Sequence, residues 1–144
     1  MREILFRGKN KRGKWYYGYY TEGYYLDGTP VSWIEVVDRK KEDTESATVI
    51  PETVGQFTGL TDKNGKKIFE GDIGRYIQTD GAKRNGNPVI CIGKVVYNAK
   101  TASFAVESKD ESGCKYFDYF PIKDFVVIGN IHDNPELLGG VGGG

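Results

Sequence analysis

The side chains best suited to chemistry in this 144-residue chain are aromatic and cationic. It contains 10 tyrosines, 7 phenylalanines and 2 tryptophans, with arginines interspersed among them in both halves. Tyrosine and tryptophan rings can stack on a nucleobase, and an arginine guanidinium can bind a phosphate through paired hydrogen bonds. We therefore predict a ligand-binding set that consists of Tyr16, Tyr20, Trp33, Arg75 and Tyr76.

Residues suited to catalysis are scarce. His132 is the only histidine, and histidine is the side chain that most readily exchanges protons near neutral pH. Its position before Asp133 and a proline is typical of a turn that follows a strand. Glu70 and Asp72 flank a glycine, an arrangement more typical of carboxylates that accept turn N–H groups than of an acid–base pair. We predict no catalytic residue and a protein that is not an enzyme.

Metal ligands are equally sparse. Cys91, Cys114 and His132 lack the close spacing that zinc sites use. Cys91 lies within an apolar run, where a thiol behaves as a small buried hydrophobe. The sequence therefore predicts no metal site and no cofactor.

The segment 60–71 resembles a calcium-binding loop only in part. Asp62, Asn64 and Gly65 occupy suitable positions, but Leu60 and Gly71 stand at the two ends, where ligands are required. The same segment departs from the phosphate-binding loop, which needs a different glycine spacing and a hydroxyl after its lysine. We interpret Asn64-Gly65 as a type I′ hairpin turn with no binding role.

Charge and hydropathy restrict the possible partners. Lysine plus arginine and aspartate plus glutamate both number 20, so the formal net charge is zero, which counts against nucleic-acid binding. Such binding stays open as an alternative function, through Lys83, Arg84, Lys94, Lys100 and Lys115. No stretch approaches the roughly 18 apolar residues of a membrane span, which indicates a soluble, cytoplasmic protein.

The elements that must position these residues are short strands. The patterns of apolar residues and turn residues predict strands over 3–7, 14–21, 24–26, 31–37, 47–50, 73–78, 89–97, 102–108, 115–120 and 125–129. Charged residues 38–46 and polar residues 79–88 are predicted loops, and 121–124 a single helical turn. The fold class is all-β, with an SH3-like small barrel in the C-terminal half and an N-terminal β-hairpin or meander region packed on it.

The predicted barrel has an apolar interior, and its limits define the domains. Strand alternation places seven side chains inside it: Ile73, Ile92, Val95, Phe104, Val106, Phe120 and Val127. Gly93 lies in the longest of these strands, at a bulge or a close approach. The expected organisation is an N-terminal β region over 1–50, a core over 51–138 and a flexible glycine-rich tail over 139–144.

Residues 51–73 carry a distinctive sequence, PETVGQFTGLTDKNGKKIFEGDI. Together with 2–8, 15–19 and 127–138, this block resembles the YopX-like family of bacteriophage and prophage proteins. The resemblance implies a phage-type accessory protein in a bacterial host and brings with it no established activity. We expect a non-enzymatic binding protein that sequesters a small nucleotide-like host defence signal or a host protein.

The N-terminal aromatic residues also suggest self-association. Alternation places Trp15, Tyr17 and Tyr19 on one face of a strand and Tyr16 and Tyr20 on the other. One face can belong to the core, and the second face must also be covered. Three alternatives are open for this second face: further core, a homo-oligomer interface or a stacking surface for a ligand. We predict a homo-oligomer.

Overall fold

A computed structural model describes residues 2–36, 45–78, 83–110 and 112–139. Strands make up 56% of it and helices 6%, so the all-β prediction is confirmed. The two short helices are a 3₁₀ helix over Pro51–Thr53 and α1 over Glu136–Gly139. Most of the predicted charged loop and of the glycine tail lies outside the described residues.

The chain forms two compact units, Met1–Gly59 and Leu60–Gly144. The strands, in chain order, are β1 (Phe6–Lys9), β2 (Trp15–Tyr24), β3 (Pro30–Val36), β4 (Glu45–Thr48), β5 (Gly55–Thr61), β6 (Lys67–Phe69), β7 (Asp72–Ile77), β8 (Lys83–Arg84), β9 (Asn87–Pro88), β10 (Ile90–Asn98), β11 (Ser103–Lys109), β12 (Lys115–Tyr119) and β13 (Val126–Asn130). The division falls within β5, whereas the sequence placed its first boundary after residue 50.

The first unit is an antiparallel sheet in the order β4-β3-β2-β1-β5. One face carries its core, where Ile34 is fully buried and Val49 lies against Gly8, which leaves no room for a side chain there. Tyr20 pairs with Ile34 and therefore points to this core face, as does Tyr16. The predicted alternation along β2 is thus confirmed.

The second unit contains a five-stranded antiparallel sheet in the order β12-β11-β10-β7-β13. Strands β7, β10, β11 and β12 pair in chain order, and β13 returns to pair with β7. Within the described part of the chain, no pairing joins β12 to β13, so the sheet is open. Gly93 lies at a close approach to β11, as predicted, while the bulge is in β13, between Val127 and Gly129.

The core of the second unit lies on one face of this sheet. Its members are Ile68, Tyr76, Cys91, Val95, Val106 and Phe125. Of the predicted interior positions, Val95 and Val106 are fully buried in this core, and Phe104, Phe120 and Val127 are half-buried. Ile73 is also fully buried, but it lies opposite Lys94, and the half-buried Ile92 lies opposite Arg75, so both point to the other face of the sheet. The prediction of a common interior is wrong for these two residues, because side chains alternate between the faces along β10. Phe104 lies outside the core cluster, with its ring edge-on to that of Tyr97.

The prediction of a type I′ turn at Asn64-Gly65 is wrong. Such a turn needs positive φ at both residues, and only Gly65 has it, with φ +82°. The N–H of Asp62 donates to the carbonyl of Lys66, so the loop is a type I turn followed by a glycine bulge. The physical reason is the Asp62 carboxylate, whose Oδ1 accepts the N–H groups of Asn64 and Lys66.

The type I′ geometry occurs instead at the other Asn-Gly pair of the chain. Asn85 and Gly86 have φ values of 53° and 79° and join β8 to β9. This small hairpin lies inside the segment predicted as a polar loop. The predicted helical turn over 121–124 is also absent from the described residues there: a cis peptide precedes Pro121, and Asp124 adopts a positive φ.

Candidate anion-binding site

A small cavity lies on the face of the five-stranded sheet opposite its core, which we name the outer face. Residues directly opposite each other on paired strands share a face, and Lys94 is opposite Glu107 while Lys109 is opposite Lys115. The two pairs therefore place charged groups from three adjacent strands side by side.

Helix α1 provides another wall of this cavity. The helix contacts β10, so that Leu138 and Gly139 face the same space as the half-buried Ile92. The cavity has a volume of about 280 Å³ and is lined by Ile92, Lys94, Glu107, Ser108, Lys109, Lys115, Leu138 and Gly139. It combines apolar walls with a charged rim.

The rim carries an excess of positive charge. Lys94 Nζ lies 3.3 Å from Glu107 Oε2, and Lys115 Nζ lies 3.6 Å from Glu107 Oε1. The Glu107 side chain is only 14% exposed, whereas the Lys115 side chain is 59% exposed. Three lysines, including Lys109, and a single glutamate line the cavity, which gives a formal charge of +2. This arrangement attracts anions.

Arg75 and Tyr76 have different environments although they are neighbours on β7. Arg75 is exposed and lies opposite Ile92 on the outer face, beside the cavity wall. Tyr76 points to the core and is 1% exposed. Its hydroxyl lies 2.7 Å from Ser108 Oγ and donates to Asp118 Oδ2 at 2.9 Å. Its ring is therefore unavailable for ligand stacking, contrary to the sequence prediction.

Burial explains the ionisation state of this tyrosine. Desolvation is the main cause that raises the pKa of Tyr76, the bond to Ser108 lowers it, and the bond to Asp118 raises it further. The phenol is therefore neutral at physiological pH. A neutral hydroxyl that bridges two buried polar side chains stabilises the core and has no acid–base role there.

The other three predicted ligand residues belong to the first unit. The Tyr20 hydroxyl donates to Glu22 Oε1 at 2.7 Å and lies 3.1 Å from Ser32 Oγ. Trp33 packs over Gly23, and Tyr16 is half-buried on the core face. None of the three lines the cavity on the outer face of the second unit.

The family of the chain follows from its sequence over almost its whole length. Residues 5–139 match the family model described as YopX protein. The chain belongs to the YopX family. A search of curated proteins finds no match.

One solved structure resembles this YopX-family chain over most of both lengths. It is the crystal structure of protein EF1440 from Enterococcus faecalis. The two chains are 21% identical, with a TM-score of 0.49, and the similarity covers 96% of this chain and 99% of the other.

Sequence reasoning missed part of the cavity of this YopX-family protein. Lys94 and Lys115 were assigned from the sequence to a nucleic-acid surface, and Glu107, Lys109 and Leu138 were assigned to no site. The lysines are 21 residues or fewer apart in sequence, and their convergence depends on the register of β10, β11 and β12. Alternation indicates which side chains share a face, but no residue type indicates the register.

Two of the groups considered for catalysis or metal binding belong to turns. Asp72 Oδ2 accepts the N–H of Phe69, as the turn interpretation requires. His132 lies in the turn after β13, where its N–H donates to Asn130 Oδ1. Within the described ranges, no three His, Cys, Asp or Glu side chains are placed to hold a metal ion. In the same ranges, no helix has the length and apolar character to cross a membrane.

Proposed function

We propose that this YopX-family chain is a non-enzymatic binding protein that holds a small phosphate-bearing ligand in the outer-face cavity. The observation that supports this function best is a cavity with apolar walls that is lined by three lysines and one carboxylate, and in which Lys94 and Lys115 pair with the largely buried Glu107. Ligand pockets combine apolar surface with a few charged groups in this way. Lysine ammonium groups bind phosphate as point charges.

The size and chemistry of the cavity favour a nucleotide-like ligand. Its volume of about 280 Å³ is at the lower end of ligand pockets, which favours a mononucleotide over a longer chain. Lys109 and Lys115 would bind the phosphate, and Ile92 and Leu138 would contact the flat face of a base. Glu107 accepts hydrogen bonds and would recognise an amino or hydroxyl group of the ligand.

The proposed biological role is sequestration. A phage-type accessory protein in the cytoplasm of its host gains by removing a nucleotide-like defence signal, and this role requires binding without turnover. Binding without turnover agrees with the charged groups of the cavity, which are lysine amines and the Glu107 carboxylate that pairs with Lys94 and Lys115.

Calorimetric titration tests the proposal with nucleoside mono-, di- and triphosphates and the matching nucleosides. We expect phosphorylated ligands to bind and nucleosides to bind at least tenfold more weakly. Lys109→Glu and Lys115→Glu should each weaken binding by tenfold or more, because each replaces a phosphate-facing cation with an anion. Lys100→Glu is the matched control, since Lys100 is an exposed lysine of the β10–β11 turn outside the cavity.

Two results would contradict this function. If no phosphorylated ligand binds at millimolar concentration, the cavity is not an anion site. If Lys100→Glu weakens binding as much as Lys109→Glu does, the effect comes from overall charge. Thermal unfolding of each variant must show that its fold is retained.

A second candidate, single-stranded nucleic acid, is favoured by β12. Phe117 and Tyr119 are each 41% exposed and share the outer face with Lys115. Exposed rings beside lysines are typical of surfaces that stack bases. In the same titration, affinity that rises with oligonucleotide length and falls in Phe117→Ser would favour this function over mononucleotide binding.

A further inference from the structure

The first unit has an exposed aromatic surface that the proposed ligand site does not use. Tyr17 and Tyr19 point away from the core face of β2, and their exposed fractions are 46% and 54%. Trp15 lies on the same face, with the guanidinium carbon of Arg7 4.9 Å and the ammonium of Lys9 5.9 Å from its ring centroid. We name this side of β1, β2 and β3 the tyrosine face.

Two opposite charges flank the tyrosine face. Lys9 on β1 pairs with Trp15, and Glu35 on β3 pairs with Tyr19, so both side chains share the face of the tyrosines. Tyr17 occupies the position on β2 midway between these two rows. The face therefore has a basic flank, an aromatic centre and an acidic flank.

We propose that the tyrosine face binds a second copy of this chain in a two-fold symmetric dimer. A two-fold axis that lies between two such faces and passes over Tyr17 brings Lys9 of each copy opposite Glu35 of the other. A symmetric interface must be self-complementary in this sense, with the same patch used by both subunits. The charge pattern of the face meets that requirement, whereas a partner of a single charge sign would be attracted by one flank and repelled by the other.

The size of the face indicates a weak dimer. Three strands about 4.8 Å apart and about six residues long, at about 3.3 Å per residue, span roughly 15 by 20 Å. The face therefore covers about 300 Å², well below the roughly 800 Å² that each partner buries in a standard interface. We therefore expect dissociation in the micromolar range, with the exposed tyrosines as the main contacts.

Charge reversal tests the two-fold arrangement. Sedimentation velocity from about 10 μM to about 1 mM should show the mass rise from 16.1 kDa toward twice that value. Lys9→Glu and Glu35→Lys should each weaken dimerisation about tenfold or more, because symmetry places every reversed charge in the interface twice. The double variant Lys9→Glu/Glu35→Lys should recover dimerisation, and so should an equimolar mixture of the two single variants.

The tyrosines provide a second, independent test. Tyr17→Ser/Tyr19→Ser should abolish dimerisation without unfolding, since both rings are about half exposed. Tyr16 and Tyr20 are unsuitable for this test, because they face the core and substitutions there would destabilise the unit. Tyr24→Ser is the control, because Tyr24 is exposed on the opposite side of β2.

The proposal is overturned if the protein remains monomeric at about 1 mM, well above the dissociation constant expected of a small interface. It is equally overturned if the double charge variant fails to recover the dimer while retaining its melting temperature, because the charges would then not face each other. Oligomers larger than two that persist in the Tyr17→Ser/Tyr19→Ser variant would assign self-association to another surface.

Discussion

Phe125 is more deeply buried than Phe104 and Phe120, the two phenylalanines predicted in the core. It is 3% exposed, and its ring lies 6.0 Å from that of Tyr76 and 5.4 Å from that of Phe120. We expect Phe125→Ala to reduce the free energy of unfolding by about 3 to 5 kcal/mol. Phe104→Ala should reduce the free energy of unfolding by clearly less, because the Phe104 ring is half-buried and water would fill part of the space that it leaves. Urea titration of both variants measures the difference, and equal losses would contradict the assignment of the core.

Alternation along β11 correctly predicted that Val106 points to the core, yet it could not rank Phe104 against Phe125. The rank depends on position within the sheet, because Phe104 lies close to the β10–β11 turn while Phe125 covers Gly74, where no side chain competes for the space. The burial of Tyr76 could not be predicted from the sequence either. A tyrosine in a strand has the same appearance in sequence whether its hydroxyl reaches solvent or, as here, two buried partners.

The Asp62 carboxylate helps to anchor the hairpin of β5 and β6 to β13, beside the hydrogen bond from the N–H of Lys63 to the carbonyl of Phe125. Asp62 Oδ1 accepts two N–H groups of its own turn, and Oδ2 accepts the N–H of Val127 at 3.0 Å. Burial alone would raise the pKa of Asp62, but the hydrogen bonds from Val127, Lys66 and Asn64 outweigh it, and the pKa is lowered. The ionised form therefore ties β13 to the turn.

This lowered pKa predicts an acid-dependent loss of stability. Since the folded pKa lies below the unfolded value of about 3.9, the stabilisation is complete above about pH 4 to 5 and is lost as the pH falls through the folded pKa. Asp62→Asn should cost about 1 to 3 kcal/mol near neutral pH and progressively less in acid. Glu52→Gln, an exposed acid in the 3₁₀ helix, is the control. Denaturant titrations across the acid range measure this, and a constant difference between Asp62→Asn and the wild type would reject the linkage.

The two Asn-Gly pairs show how much of an element the sequence specifies. Both predict a turn, and both are turns, but only Asn85-Gly86 has the type I′ form. At Asn64-Gly65 the preceding aspartate reorganises the loop, and its third hydrogen bond goes to a residue 65 positions away. A local pattern can predict that a chain reverses, whereas the geometry of the reversal depends on a partner that becomes adjacent only in the folded chain.

At the scale of the molecule, the fold class could be predicted and the candidate site could not. Short alternating segments and turn residues were sufficient to predict an all-β chain. The cavity required the register of three strands and the position of α1 against β10, neither of which a residue type specifies. The aromatic residues named from composition mostly pack within the first unit, while the cationic groups lie in the second.

The two proposed sites share no residue, and this leads to a prediction about the whole protein. The cavity consists of residues of the second unit and the tyrosine face of residues of the first. Coupling between two sites requires an element with two states that both sites bias, and no residue contributes to both. We therefore expect Tyr17→Ser/Tyr19→Ser to leave nucleotide affinity within about twofold of the wild type, and Lys109→Glu to leave the dimer dissociation constant equally unchanged. Titration and sedimentation of all three proteins provide the four comparisons. If the loss of dimerisation also removed ligand binding, the functional form would be the dimer, and the cavity would depend on the second copy for its affinity.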